Sequence, residues 1–340
     1  MIIKKNISLK SIFRFSGQHL LWMLPWMLSV PSAYYFLNWK FLSIPWQPLS
    51  MVGTAVAFYV GFKNNQSYDR LWEARKIWGT LVNSSRKLAV SIKNYKEENE
   101  ENDTAILIRK EIVYRHIAYL YQLRKQLLKP TPWEHVSLNW VYGSYNQKRR
   151  NKYIRSFETE LEEVQKNTYL SSDEIKSLEG YNNKAVHLLD RQSEMIQKLF
   201  TMKAINQMQQ IDIQSIVNSF YDEQGKTERI KNFPFPRQYA GYSFVFVSIF
   251  IFLLPFGIVG ELSKMGNEFV WLGVPLGVLI GWIYLIMEMI GDYSENPFEG
   301  LQNDIPMLTI CRNIEIDLLQ IINDSKNIPS PIMPIDGILI

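Results

Sequence analysis

The 340-residue sequence has little of what enzymes and metal proteins usually show. Its one cysteine, Cys311, can form neither an intramolecular disulfide nor a cysteine-built zinc site. The four histidines (His19, His116, His135 and His187) lack metal-ligand spacing. No glycine-rich phosphate loop or Gly-x-Ser-x-Gly elbow occurs. These absences give no support to catalysis, and a net charge of +4 is too small to indicate nucleic-acid binding.

Charge is also missing from particular stretches, although 21% of all residues are charged. Four runs contain no Asp, Glu, Lys or Arg, and they cover residues 15–39, 41–62, 238–260 and 269–287. About 20 helical residues cross a hydrocarbon core roughly 30 Å thick, so we predict four transmembrane helices. A cleaved signal peptide fits the first run poorly, because the run is long and no small-residue cleavage site follows. The slightly negative mean hydropathy requires a large part of the chain to lie in water.

Lysine and arginine near the ends of these runs predict their orientation. Residues 1–14 carry four basic residues and no acid, and basic residues also cluster in 63–76 and 226–237. The two short connections offer only Lys40 and Lys264. We therefore predict cytoplasmic segments at 1–14, 63–237 and 288–340, with membrane segments at 15–62 and 238–287.

Proline and helical periodicity indicate the secondary structure. Pro25 and Pro31 predict a bent first membrane helix, and the second should start near Leu49. In the cytoplasmic segment we predict helices over 64–95 (continuous with the second span), 106–128, 153–165 and 175–214, the last with one break, and a loop at 97–104. Strand-like alternation is nearly absent, so the predicted fold class is all-α.

The second uncharged run carries two adjacent stripes at four-residue spacing. Gly53, Ala57 and Gly61 form a narrow face of small residues, which permits close approach of another helix. The other stripe consists of Thr54, Phe58 and Phe62. Both stripes could be ordinary packing faces. Alternatively, the small residues pack neighbouring subunits while the other stripe faces a shared axis, where apolar rings form a constriction that gates ions by losing water.

Two long motifs resemble the bestrophin family, in particular its bacterial branch. They are GFKNNQSYDRLWEARKIWGTLVNSSRKLA (61–89) and ENPFEGLQNDIPMLTICRNIEIDLLQ (295–320). The order of segments also agrees, and the resemblance covers most of residues 1–325. It implies a homopentameric ion channel in the bacterial inner membrane, with both termini cytoplasmic. In the family the second helices line a hydrophobic neck, whose rings here would be Thr54, Phe58 and Phe62. Bacterial members carry large apolar residues at all three rings, so Thr54 implies a wider or leakier first constriction.

The resemblance also implies a second constriction, a cytoplasmic aperture on the helix before the third span. Met208 is the first choice for it, with Ile205 and Ile211 as neighbours, although Met208 could equally be a core residue. Animal members bind calcium after the Asn-Pro-Phe turn through a run of aspartates that this chain lacks. We therefore expect no such calcium site. The sequence offers no candidate ligands for another metal and none for a cofactor, and it leaves open whether a metal binds elsewhere. The residues of this turn should instead cap a helix and pack the tail against the neck-bearing helix, and they are Asn296, Pro297, Phe298 and Asp304.

The functional prediction is passive conduction of monovalent ions, with membrane lipid and further copies of the chain as the partners. Since the neck is uncharged, selectivity should come from ring polarisability, helix ends and charged vestibule residues. The match to the bacterial branch favours cations, and an anion channel of the same architecture is the alternative. A secondary transporter is less favoured, because the spans hold no central charge and no repeat. A scaffold that recruits a soluble partner is the third hypothesis.

Overall fold

The structure is a computed structural model and describes residues 1–3, 6, 8–97, 103–137, 144, 146–148, 150–151, 169–335 and 337–340. Regular structure in these residues is helical apart from two isolated β-bridges, so the predicted all-α fold is confirmed. The principal helices are α1 (Leu9–Ser16), α2 (Leu20–Phe36), α3 (Trp46–Asn94), α4 (Asp103–Leu127), α5 (Ser172–Leu178), α6 (Lys184–Thr201), α7 (Gln207–Asn232), α8 (Arg237–Leu262), α9 (Gly273–Asp292) and α10 (Met307–Ile321).

The apolar runs meet the requirements of a membrane helix to different degrees. Among the described residues, two helical stretches are long and apolar enough to cross a membrane, Arg237–Met265 and Asn267–Asp292. The first run is not one bent helix, because α1 ends at Ser16 and a 3₁₀ turn separates it from α2. At that point the buried Ser16 hydroxyl accepts a hydrogen bond from Trp282. Helix α2 is uninterrupted although it contains Pro25 and Pro31, and its 17 residues extend about 26 Å.

The chain divides into two compact units. We call Lys4–Arg70 with Pro234–Asn296 the apolar unit, and Met1–Ile3, Leu71–Phe233 and Pro297–Ile340 the polar unit. In the apolar unit, glycines let helices approach closely. A Cβ on Gly277 would lie 2.8 Å from the Met27 sulfur, and a Cβ on Gly260 would lie 2.1 Å from the Ile44 carbonyl oxygen. The sequence therefore specifies close contacts by leaving side chains out.

The polar unit is built around a continuous apolar core. Helix α4 packs against α6 and α10, and α6 packs against α7. The largest apolar side chains fully buried there are Trp78, Tyr119, Phe220 and Phe298. Cys311 is also buried, and burial raises the pKa of its thiol to about 12. This core supplies the stability of the unit, since apolar burial is the main favourable term in folding.

Two of the four helices predicted for the long cytoplasmic segment are confirmed, and a third needs a correction. Residues 64–95 lie almost entirely within α3, which continues without a break from the second apolar run, and 106–128 corresponds to α4. The helix predicted at 153–165 and most of the 97–104 loop lie outside the described residues. The stretch 175–214 has two breaks, not one. Asn183 caps the start of α6, and Asn206 forms a capping box with Gln209 at the start of α7.

Gly260→Ala should destabilise the apolar unit, because the new methyl group would collide with the Ile44 backbone, which cannot rotate away as a side chain could. We expect a loss of about 1–3 kcal/mol, measured as a lower unfolding temperature in detergent. Gly241→Ala is the matched control on the same helix, since no atom lies within 4 Å of the position that a Cβ would take there. Equal unfolding temperatures for the two variants would contradict the packing described for Gly260.

Candidate functional site: an exposed aromatic stripe and its buried anchor

The stripe of Thr54, Phe58 and Phe62 lies on an exposed face of α3. The Phe58 and Phe62 side chains are 65% and 62% exposed, although they belong to the apolar unit. The Thr54 hydroxyl is exposed as well, and it donates a 2.9 Å hydrogen bond to the Ser50 carbonyl of its own helix. Large exposed apolar side chains in a row indicate a surface that contacts another molecule or another copy of the chain.

The three residues of the small-residue stripe have different surroundings, and Gly53 agrees with the first interpretation, an ordinary packing face within the chain. Gly53 packs inside its own chain, where a Cβ would lie 2.7 Å from the Phe250 ring. The Tyr284 hydroxyl also donates a 3.0 Å hydrogen bond to the Gly53 carbonyl. Ala57 is half-buried, and Gly61 has no atom within 4 Å of its Cβ position. Of this stripe, Gly53 is therefore a packing residue within the subunit.

A buried ion pair, absent from the sequence prediction, fixes α3 beside the stripe. Lys63 is fully buried and pairs with Glu288, which is 4% exposed. The other oxygen of Glu288 accepts a 2.5 Å hydrogen bond from the buried Ser243 hydroxyl. At the next residue of α3, the Asn64 amide donates to the Met287 carbonyl at 2.9 Å. These contacts join α3, α8 and α9.

The sequence does contain a signal for this pair. Lys63 directly follows the second uncharged run, and Glu288 directly follows the fourth. The charge pattern alone places Lys63 among the basic residues that orient the spans and Glu288 at the membrane interface. Burial of both side chains corrects that interpretation, because isolated buried charges are costly whereas a hydrogen-bonded pair is tolerated.

The residues predicted for a second constriction lie around the start of α7 and do not share one environment. Met208 is 83% exposed and Ile211 is 61% exposed, so both side chains are available at the surface of the polar unit. Ile205 is 1% exposed and belongs to the core of the unit. The choice of Ile205 as an aperture neighbour was therefore wrong, since a side chain packed in the core of one subunit cannot line a passage.

The Asn-Pro-Phe turn is closed by a buried carboxylate. Asp304 accepts hydrogen bonds from the backbone N–H groups of Phe298, Gly300 and Ile305 at 2.7–2.9 Å. Phe298 is fully buried with a φ of 75°, and Gly300 has a φ of 77°. Burial raises the pKa of Asp304, and the three N–H donors act in the opposite direction. The turn is therefore held in a left-handed conformation by one side chain.

This arrangement differs from the predicted helix cap. The residue preceding α10 is Pro306, which makes no side-chain capping hydrogen bond, and the Asn296 amide donates to Glu295 instead. Around the turn, buried acids have cationic or hydrogen-bonding partners from the polypeptide. Lys231 pairs with Glu134 and lies 3.5 Å from the Phe298 carbonyl oxygen, while the His135 ring and backbone N–H contact Glu299.

No group of three His, Cys, Asp or Glu side chains among the described residues is arranged to hold a metal ion. Of the buried acids described above, Glu288 and Glu134 pair with lysine, and Asp304 accepts from backbone N–H groups.

Removing one member of the Lys63–Glu288 pair should be far more costly than removing both. Lys63→Met or Glu288→Met alone should lower the free energy of unfolding by about 3–5 kcal/mol, since each leaves an uncompensated buried group. The double variant Lys63→Met/Glu288→Met should recover most of this loss. A double-mutant cycle in detergent measures the coupling. Lys264→Gln is the control, because its pair with Glu261 is exposed; additive single effects would contradict the role assigned to the buried pair.

Comparisons with known proteins show which family and which fold this chain resembles. A family model described as "Bacterial/Fungal Bestrophin protein" matches residues 16–320. "Voltage-dependent anion channel-forming protein YneE" of Escherichia coli K12 is 28% identical over 92% of this chain and 85% of its own length. The relative alr2987 of Nostoc, which bears the same descriptive name, is 28% identical over 79% of this chain and 75% of its length.

The fold is also that of a solved structure. A bacterial bestrophin homologue from Klebsiella pneumoniae superposes with a TM-score of 0.71 at 22% identity, covering 90% of this chain and 98% of that protein. At this identity the likeness shows the fold alone. Because the family model covers nearly the whole helical part of the sequence, the chain belongs to the bestrophin family.

Proposed function

We propose that the protein is the subunit of a homopentameric ion channel in the bacterial inner membrane, with both termini cytoplasmic. The α3 helices of five copies surround the pore, and Thr54, Phe58 and Phe62 form its neck. The observation that carries the proposal is the exposure of both phenylalanines beside Lys63, which is buried on another face of the helix. Family membership and the channel-forming names of the relatives support it.

The neck would conduct by changing its water content. Rings of phenylalanine around an axis make a narrow apolar passage, in which a dry segment excludes ions and a hydrated segment passes them. The Thr54 hydroxyl donates to its own helix, and its oxygen can still accept a hydrogen bond from water. The first ring should therefore hold water more readily than the two aromatic rings. Met208 and Ile211 are the proposed lining of the cytoplasmic aperture.

We favour monovalent cations as the permeant ions. Asp69 is exposed and lies seven residues after Phe62 on the same unbroken helix. Seven residues are nearly two full turns, so Asp69 follows the aromatic stripe on the same face at a distance of about 10.5 Å along the axis. Five copies would place a ring of carboxylates next to the neck, and such rings attract cations.

The second candidate is an anion channel of the same architecture. The descriptive names of the Escherichia coli and Nostoc relatives specify anions. The edges of aromatic rings are electropositive, so phenylalanine rings that turn their edges to the axis would favour chloride. The two candidates differ in the sign of the permeant ion and in the effect of removing the Asp69 charge.

Phe58→Ala and Phe62→Ala should each raise single-channel conductance or open probability in planar bilayers, because each widens the apolar segment. Phe244→Ala is the matched control, since this residue is an exposed phenylalanine on α8. Unchanged currents in both neck variants would show that Phe58 and Phe62 do not line the conduction path. A stable monomer or dimer, seen by mass measurement of the particle in a mild detergent, would overturn the pentameric channel itself.

Reversal potentials in asymmetric sodium chloride decide the sign of the permeant ion. The wild-type channel should reverse towards the sodium equilibrium potential, and Asp69→Asn should move the reversal potential towards zero. Asp317→Asn is the control, because Asp317 pairs with Arg86 at the surface of the polar unit. A wild-type reversal towards the chloride potential would establish the anion candidate. Sodium selectivity that Asp69→Asn leaves intact would exclude the carboxylate ring as its source.

A further inference from the structure

An apolar groove in the apolar unit lies between the N-terminal helices and α9. Its volume is about 460 Å³, and Phe13, Leu20, Leu24, Val278, Leu279 and Trp282 contribute to its lining. All of the lining side chains are apolar apart from the indole N–H of Trp282, which is turned to the Ser16 hydroxyl at 3.0 Å. The groove therefore offers no hydrogen-bonding group to an occupant and fits a hydrocarbon chain.

The direction of the groove suits a chain that enters from a membrane surface. The lining residues on α9 extend from Val274 to Trp282, which is about 12 Å along the helix axis. This helix belongs to a stretch long and apolar enough to cross a membrane. The groove thus lies at the depth of the lipid acyl chains, not in water.

One end of the groove adjoins a cationic helix face. Phe13 of α1 stacks on Trp282 with a ring-centroid distance of 5.2 Å, so α1 is anchored at this end. Lys10 and Arg14, four residues apart, share the neighbouring face of α1, and both are exposed. The helix contains no acidic residue. An amphipathic helix with basic residues at the border of an apolar surface is typical of contact with anionic lipid headgroups.

A second copy of the chain is the competing occupant, and the cross-linking experiment described below distinguishes it from a lipid.

We infer that this groove is a binding site for an anionic phospholipid of the membrane. One acyl chain occupies the groove along α9, and the headgroup phosphate lies at Lys10 and Arg14. The inference is independent of the neck and of the permeant ion, because it needs only the apolar unit in a bilayer. In this arrangement α1 contacts the lipid headgroup next to the start of α2.

Native mass spectrometry of the delipidated protein, titrated with palmitoyl-oleoyl phosphatidylglycerol or with the matching phosphatidylcholine, tests the site. We expect one tightly retained phosphatidylglycerol for each subunit and clearly weaker phosphatidylcholine binding. Lys10→Gln/Arg14→Gln should weaken phosphatidylglycerol binding roughly thirtyfold, because two charge contacts worth about 1 kcal/mol each are lost. Val278→Phe should fill the groove and reduce retention of both lipids.

Two control variants and a cross-linking experiment keep the outcomes distinct. Leu276→Phe places the same bulk on an exposed part of α9 outside the groove lining, and Lys264→Gln removes an exposed charge elsewhere. Neither should change lipid retention. Equal binding of the two lipids, unaffected by any variant, would mean annular lipid only and overturn the site. Cross-linking between subunits from a photoreactive amino acid placed at Leu279 would show that a second copy covers the groove, and would overturn it as well.

Discussion

The buried pair between Lys63 and Glu288 determines which face of α3 is available to other molecules. Successive residues on a helix are rotated by about 100°, so fixing Lys63 inwards also fixes the directions of Phe62 and Phe58. Asn64 contacts Met287, and Gly53 contacts Phe250 and Tyr284. These contacts fix the same rotation of α3 at two further positions along the helix. The exposed aromatic stripe is thus a consequence of polar chemistry on another face of the helix.

The same solution to buried charge recurs in the polar unit. Glu134 is matched by Lys231, Glu299 by His135, and Asp304 by three backbone N–H groups. In each case the buried acid has a partner supplied by the polypeptide itself. The turn after the Asn-Pro-Phe motif therefore has a well-defined conformation that rests on internal partners, even though it places Phe298 in a backbone region that residues with side chains rarely adopt.

Much of the architecture could be predicted from sequence because its signals are local. The unbroken α3 followed from helical periodicity that crosses the end of the second apolar run, and the third and fourth runs match α8 and α9 within a few residues. The breaks at Asn183 and Asn206 were underestimated, since capping asparagines are also common as surface residues. The partnership of Lys63 with Glu288 links residues 225 positions apart, which no periodicity can report. The core position of Ile205 was missed for the same reason.

The burial of Cys311 has a practical consequence for the experimenter. Only the thiolate reacts rapidly with maleimides and methanethiosulfonates, and a pKa of about 12 leaves almost none of it at neutral pH. Since this is the chain's only cysteine, the native protein should react with almost no thiol reagent. A fluorophore or spin label attached at a single engineered cysteine would report from that position alone, without prior removal of native thiols.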